Sequence, residues 1–152
     1  MKIIQDTREQ KPLDFSFFGH DTTVAKLNYG DYSLHGYEDL IFIERKASTS
    51  ELANNLGKGR DAFFREFERG RNAKYKYVIC EFTYDNILEY PVNSGVPEKL
   101  IKYVKMNSGY ILKLIEHLEI VYGVQFLFCG DRESATEKII EILELCRKEN
   151  PK

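Results

Sequence analysis

Tyr29-Gly30-Asp31-Tyr32-Ser33-Leu34, a polar turn through Gly36, then Leu40-Ile41-Phe42-Ile43-Glu44-Arg45-Lys46: this stretch decides the fold. Its first piece is short and strand-like after the Gly-Asp step, and residues 35–39 supply turn chemistry. Leu40 to Ile43 form an uninterrupted apolar run, the pattern of a strand buried on both faces. Such a strand closes on three charged residues only when they have something to bind. Side chains alternate along a strand, so Glu44 and Lys46 leave one face while Arg45 leaves the other. If the two strands pair, Asp31 lies beside Glu44 at the mouth of the sheet. Two carboxylates about 4 Å apart repel by roughly 4 kcal/mol at an effective dielectric near 20, so they call for a cation between them. An all-oxygen donor set suits magnesium, with manganese as a substitute, better than zinc. Lys46 adds a positive donor beside that ion, and acid, acid, lysine and metal together suit phosphodiester cleavage.

Working outward, Lys2 to Asp6 reads as a first strand that delivers Asp6 and Glu9 at or beyond its end. Thr22 to Leu27 reads as a second strand leading into Gly30-Asp31, after an aromatic-rich connection over 11–21. Ser48-Thr49-Ser50-Glu51 starts a helix, and Gly57 and Gly59 divide the segment into two helical pieces with Leu52, Leu56, Phe63, Phe64 and Phe67 as the apolar stripe. Nine cations against four acids between Arg45 and Lys76 make this region +5 inside a chain of net charge −2. Its place directly after the acidic cluster points to backbone phosphates, with Arg60 and Arg65 first and Lys58 next as ligands, over the plainer reading of a solvated helix face. Tyr77 to Phe82 reads as a buried strand, Tyr84 to Tyr90 as a short helix, and 97–122 as a helical pattern interrupted near Asn107-Ser108-Gly109. Val124 to Cys129 is the last strand, and Ser134 to Lys148 an amphipathic helix with Ile139, Ile142, Leu143 and Cys146 turned inward. Strands first, then strand–helix–strand–helix, predict an α/β sandwich around a mixed central sheet.

The bulk numbers agree with a single domain over residues 1–152: 43% hydrophobic and 30% charged is an ordinary globular balance. Cys80, Cys129 and Cys146 are widely spaced in apolar surroundings and read as free thiols of a reducing cytoplasm, not as a disulfide frame or zinc site. There is no signal-peptide layout and no apolar run of membrane-spanning length. Gly57-Lys58-Gly59 is not a nucleotide cradle, because no Ser or Thr follows the lysine and no strand leads into it, so no nucleotide cofactor is expected. His20, His35 and His117 are too scattered for a histidine relay or metal site.

Gly30-Asp31, a spacer, then Glu44-Arg45-Lys46 resembles the nuclease signature of the XPF-type endonucleases, a branch of the restriction-endonuclease-like superfamily. Asp6-Thr7-Arg8-Glu9 and the later Asn54-Asn55-Leu56 resemble further segments of that domain. The sequence departs from the pattern at Ser50, where the family usually places an aspartate; Glu51 stands next to it. The resemblance implies a restriction-endonuclease-like three-layer sandwich with a mixed central β-sheet flanked by helices. It also implies a metal-dependent DNA endonuclease, acting on branched, flapped or nicked DNA in repair or recombination and leaving 5′-phosphates. Asp31 and Glu44 would hold magnesium and Lys46 would serve the attacking water. Asp6 or Glu9 would either support the metal or its water shell, or be a turn acid and a solvated charge. Arg45, part of the family signature, is open between a phosphate contact and a structural ion pair. No appended helix-hairpin-helix module is expected, a version this compact suits a phage or bacterium, and a homodimer or heterodimer would use the apolar faces of the last two helices. The alternatives are a catalytically silent DNA-binding or scaffolding partner of a nuclease, and a same-fold nuclease acting on plain duplex DNA.

Overall fold

The computed structural model describes residues 1–152. Six strands form one sheet in the order β2-β1-β3-β4-β5-β6. They are β1 (Lys2–Gln5), β2 (Asp21–Val24), β3 (Tyr32–Leu34), β4 (Ile41–Lys46), β5 (Tyr75–Cys80) and β6 (Gln125–Phe128). The sheet is mixed: β1 runs parallel to β2 and antiparallel to β3, β3 is antiparallel to β4, and β4, β5 and β6 run parallel. The antiparallel β3–β4 pair needs only a turn, whereas the parallel steps require crossovers. Helices α1 (Thr49–Leu56) and α2 (Arg60–Arg69) supply the crossover from β4 to β5, and α3 (Tyr84–Leu88) and α4 (Ser108–Tyr122) that from β5 to β6. The β1-to-β2 connection carries only a 3-10 turn at Ser16–Phe18, and α5 (Arg132–Glu149) comes after the last strand.

All six residues of β4 are buried, as its apolar run predicts, because helices cover the sheet on both sides. Phe42 and Val78 face α1, α2 and α4 in one hydrophobic core, while Ile41, Ile43 and Ile79 face α5 in the other. Two cores separated by one sheet make a three-layer sandwich. On the first side, aromatic rings stack through the layer: Tyr29 on Phe42 (5.4 Å between centroids), Phe42 on Phe67 (5.2 Å) and Phe67 on Tyr122 (5.7 Å). This column seats α2 against β4, the strand that carries Glu44 and Lys46.

Local signals behave as the side-chain chemistry requires. Ser48 caps α1 by accepting from the Glu51 N–H at 3.2 Å, and Gly57 to Gly59 separate α1 from α2. Asp131 caps α5, accepting from the Ser134 N–H at 2.7 Å, so the helix begins two residues before the first expected position. The segment before α4 is not continuous helix: Glu98–Tyr103 forms a short 3-10 piece, and an extended step leads to the Asn107 cap. β2 ends at Val24 and does not reach Leu27, whose N–H is instead taken by Asp6. The three cysteines are free, and no helix is long and apolar enough to cross a membrane.

Candidate active site

β3 and β4 bring Asp31 and Glu44 together. The Asp31 N–H donates to the Ile43 carbonyl at 2.7 Å, and its side-chain Oδ2 accepts from the Arg45 N–H at 2.8 Å, so the carboxylate lies flat against the β4 backbone beside Glu44. Gly30 makes that approach possible. Its φ is +81°, and a Cβ there would stand 2.9 Å from the Ile43 carbonyl oxygen. Glu44 is 3% exposed, and Lys46, on the same face of β4, reaches it at 3.2 Å. The Lys46 ammonium also lies 5.0 Å from the centroid of the Phe63 ring, which anchors it from the helix side.

These three side chains open into one cavity of about 360 Å³. Asn55 from α1 and Glu66 from α2 complete its walls, and Arg8, Arg65 and Arg69 line it as well. Glu66 accepts the Gly30 N–H at 2.7 Å and so ties the helix to the Gly-Asp turn.

Burial dominates the electrostatics of the acid pair. Burial pushes the Asp31 carboxyl up to about 7, against the pull of Lys46 and with added repulsion from Glu9. Burial, then the Asp31 charge, raise Glu44 well above the usual carboxylate range; Lys46 opposes them and Glu66 adds to them. Burial would lower Lys46, but Glu44 and Asp31 outweigh it and hold the ammonium above its ordinary value. Lys46 is the buried cation beside Asp31 and Glu44, while Arg8, Arg65 and Arg69 stand at the exposed rim.

A small divalent cation fits this donor set. No three His, Cys, Asp or Glu side chains converge into a preformed cage. Magnesium does not need one, since it keeps several waters and takes one or two carboxylates together with substrate oxygens. Asn55 points the same way: its Oδ1 is buried with no hydrogen-bond partner, an acceptor left over in the cavity that Asp31 and Glu44 line.

The remaining expected residues fall elsewhere. Asp6 is fully buried but spends its oxygens on the backbone N–H groups of Leu27 (2.8 Å) and Arg8 (3.1 Å) and on the Arg8 guanidinium (2.6 Å). These bonds outweigh its burial and keep its carboxyl below the ordinary value, and it does not line the cleft. Glu9 lies across the sheet with Arg45, on the side opposite Glu44, as strand alternation requires. There the Arg45 guanidinium donates to Glu9 at 3.0 and 3.1 Å, to the Lys11 carbonyl at 2.8 Å, and to Glu81. Tyr32 closes the group by donating its hydroxyl to Glu9 at 2.6 Å. Arg45 thus stands in a buried ion-pair network, and Glu9 in the same one. Of the three cations expected at phosphates, only Arg65 lines the acidic cavity; Lys58 borders a neighbouring groove, and Arg60 donates to the Tyr110 hydroxyl at 2.9 Å. Ser50 and Glu51 also lie outside it: Ser50 contacts the Ser48 hydroxyl, and Glu51 accepts the Ala47 N–H.

Glu66 and Asn55 are the cleft residues that reading the sequence missed. A signal was available. Glu66 falls between Phe63 and Phe67 on the inward stripe of α2, and Asn55 falls between Leu52 and Leu56 on that of α1. A lone polar residue in a buried stripe needs a partner inside the protein.

Comparison with solved structures identifies the fold. XPF from Aeropyrum pernix superposes with a TM-score of 0.68 at 21% identity, covering 100% of this chain and 66% of that one. The chain has the fold of XPF. A second XPF structure from Aeropyrum pernix, in complex with DNA, aligns with a TM-score of 0.69 at 22% identity over 99% of this chain. The chain spans about two thirds of the length of these XPF chains. No family model and no curated protein matches the sequence. The mixed six-stranded sheet with helices on both faces is therefore an architecture that this chain shares with XPF.

Proposed function

We propose that this chain is a magnesium-dependent DNA endonuclease that hydrolyses phosphodiester bonds. The observation that carries the reading is the cleft shared by Asp31, Glu44 and Lys46, with three arginines lining it. The XPF fold, and the existence of an XPF structure in complex with DNA, support DNA as the substrate. Asp31 and Glu44 would hold the cation, with Asn55 Oδ1 and Glu66 able to fix its water shell. When bound, the ion supplies positive charge to the scissile phosphate and lowers the pKa of water.

The chain's own residues do the rest. Lys46, held at 3.2 Å from Glu44 and backed by Phe63, keeps a fixed ammonium where negative charge develops on the attacking water. Because the Lys46 ammonium is held above its ordinary value by the two acids, it stays charged and acts by orientation rather than as a base. Arg65, Arg69 and Arg8 are placed to take the non-bridging oxygens of the cleaved or flanking phosphates. No covalent intermediate is required; the resemblance to XPF-type endonucleases implies that water displaces the 3′ oxygen, which takes up a proton, and that the phosphate stays on the 5′ side. Dimerisation, with a second copy or with a related nuclease, would cover Ile120 and Val121, which α4 leaves exposed.

A magnesium-dependent cleavage panel on splayed, flapped, nicked, four-way and plain duplex DNA tests the reading. Cutting of at least one branched or nicked form ahead of plain duplex is the expected result; no cutting of any form points to a silent DNA-binding module. A finer check concerns Arg65. If it contacts one phosphate, Arg65→Ala reduces the slope of log affinity against log salt by about 0.9 for duplex DNA. An unchanged slope removes Arg65 from the DNA contact.

A further inference from the structure

A second cavity is larger than the acidic one. A groove of about 890 Å³ lies between α1 and the chain segment leading into α4, and nothing in the hydrolytic scheme uses it. Its lining differs from the rest of the surface. In a chain with 24 Asp and Glu residues, no acid lines it, while Lys58 and Lys105 do. Tyr90, Tyr103 and Tyr110 supply aromatic faces, and Asn54 and Asn107 supply amides. Tyr103 is 67% exposed, an aromatic side chain that the protein's own core does not cover, and its ring is flanked by Lys102 at 5.2 Å. Residues 97–113 carry four lysines and one acid, so the whole bank is positive.

The groove adjoins the acidic cleft. Asn55 and Gly59 line the cleft, while Asn54, Gly57 and Lys58 line the groove, so a single helix end and its loop form the wall between them. A strand leaving the cleft over Gly57-Lys58-Gly59 passes directly onto the tyrosines. Exposed aromatic rings interleaved with lysines are what unpaired nucleotides bind: the rings stack on bases of any sequence and the ammonium groups track the backbone. A duplex cannot use such rings because its bases are already stacked. An acidic or basic peptide fits less well, since the first would not use the aromatic faces and the second would be repelled by the lysines.

We propose that this groove binds the unpaired strand of the DNA substrate, with Tyr103 and Tyr110 stacking bases and Lys105 and Lys58 contacting phosphates. The proposal rests on the nuclease reading and assigns a seat on this chain to the single-stranded arm of such a substrate. Tyr103 is the residue to test, because its exposure makes its loss harmless to the fold, whereas Tyr110 also holds Arg60.

The experiment is fluorescence anisotropy of the full chain with a short labelled oligo(dT) and with a plain duplex, in EDTA so that nothing is cut. The expected result is that Tyr103→Ala weakens oligo(dT) binding about tenfold or more while Tyr103→Phe stays within about twofold. Duplex affinity should be the same in all three proteins. Lys105→Ala should lower the salt slope for oligo(dT) by about 0.7. The proposal is overturned if wild-type protein does not bind oligo(dT), if Tyr103→Ala binds it as tightly as wild type, or if duplex binding falls in parallel. Because the readout is binding without a divalent ion, a failed cleavage assay leaves it standing, and its own failure leaves the Asp31–Glu44 site standing.

Discussion

Glu44→Gln is expected to lower magnesium-dependent cleavage by about a thousandfold or more, close to 4 kcal/mol of transition-state stabilisation, while making the metal-free protein more stable. The two effects have one cause. Glu44 is buried beside Asp31 and Glu66, with Lys46 as the one cation paired to it. Glutamine keeps the shape and leaves Lys46 beside Asp31, and a cooperative melt of the purified variant separates lost cleavage from unfolding. The pH dependence comes from the same charges. Asp31 and Glu44 both have folded values raised above their unfolded ones, near 4. Their contribution to stability is therefore fully present below about pH 4 and is lost as pH rises toward and through about 7, the Asp31 value. In EDTA the wild-type melting temperature should fall over that window, and the Glu44→Gln melting temperature should fall less. Cleavage by the purified variant at the wild-type rate would remove Glu44 from the chemistry.

The second large effect lies on the opposite face of the same strand. Arg45→Met should destabilise the protein by about 3–5 kcal/mol, as expected when one partner of a buried ion-pair network is removed. The guanidinium satisfies Glu9, Glu81 and the Lys11 carbonyl at once, and both acids are about nine-tenths buried. Burial would lower the arginine's pKa, but Glu81 and Glu9 outweigh it and hold the charge in place. Without it, two carboxylates are left facing each other inside the protein. Urea denaturation measures the loss. A triple change, Arg45→Met with Glu9→Gln and Glu81→Gln, should recover much of it, because the orphaned charges disappear with their partner. If Arg45→Met left stability unchanged and abolished cleavage instead, Arg45 would belong to the chemistry and not to the frame.

These two faces of β4 illustrate what the sequence reveals. Period two separates Glu44 and Lys46 from Arg45, and the uninterrupted run Leu40 to Ile43 announces a strand covered on both sides. Gly30-Asp31 marks the close approach because only glycine tolerates the positive φ and the Ile43 carbonyl together. The helix starts were legible for the same kind of reason: Ser48 is a local cap whose partner is three residues away. What could not be read was long-range. Asp6 and Glu9 both come within a few residues of the end of β1, yet one bonds Leu27 and Arg8 while the other crosses the sheet to Arg45. Nothing in their spacing separates an acid that meets a metal from one that meets a guanidinium. Glu66 enters the cleft only because the Phe42–Phe67 stack rotates α2 to face the Gly-Asp turn. The tyrosine-lined groove depends likewise on how the segment before α4 folds back over α1, a packing event with no local signature.

The central claim is that Asp31 and Glu44 jointly hold a divalent ion, and titration of manganese by isothermal calorimetry tests it most directly. Saturable binding to the wild-type protein, lost in both Asp31→Asn and Glu44→Gln, is the predicted result. Undiminished binding in both variants, or none in the wild type with or without DNA, would contradict it.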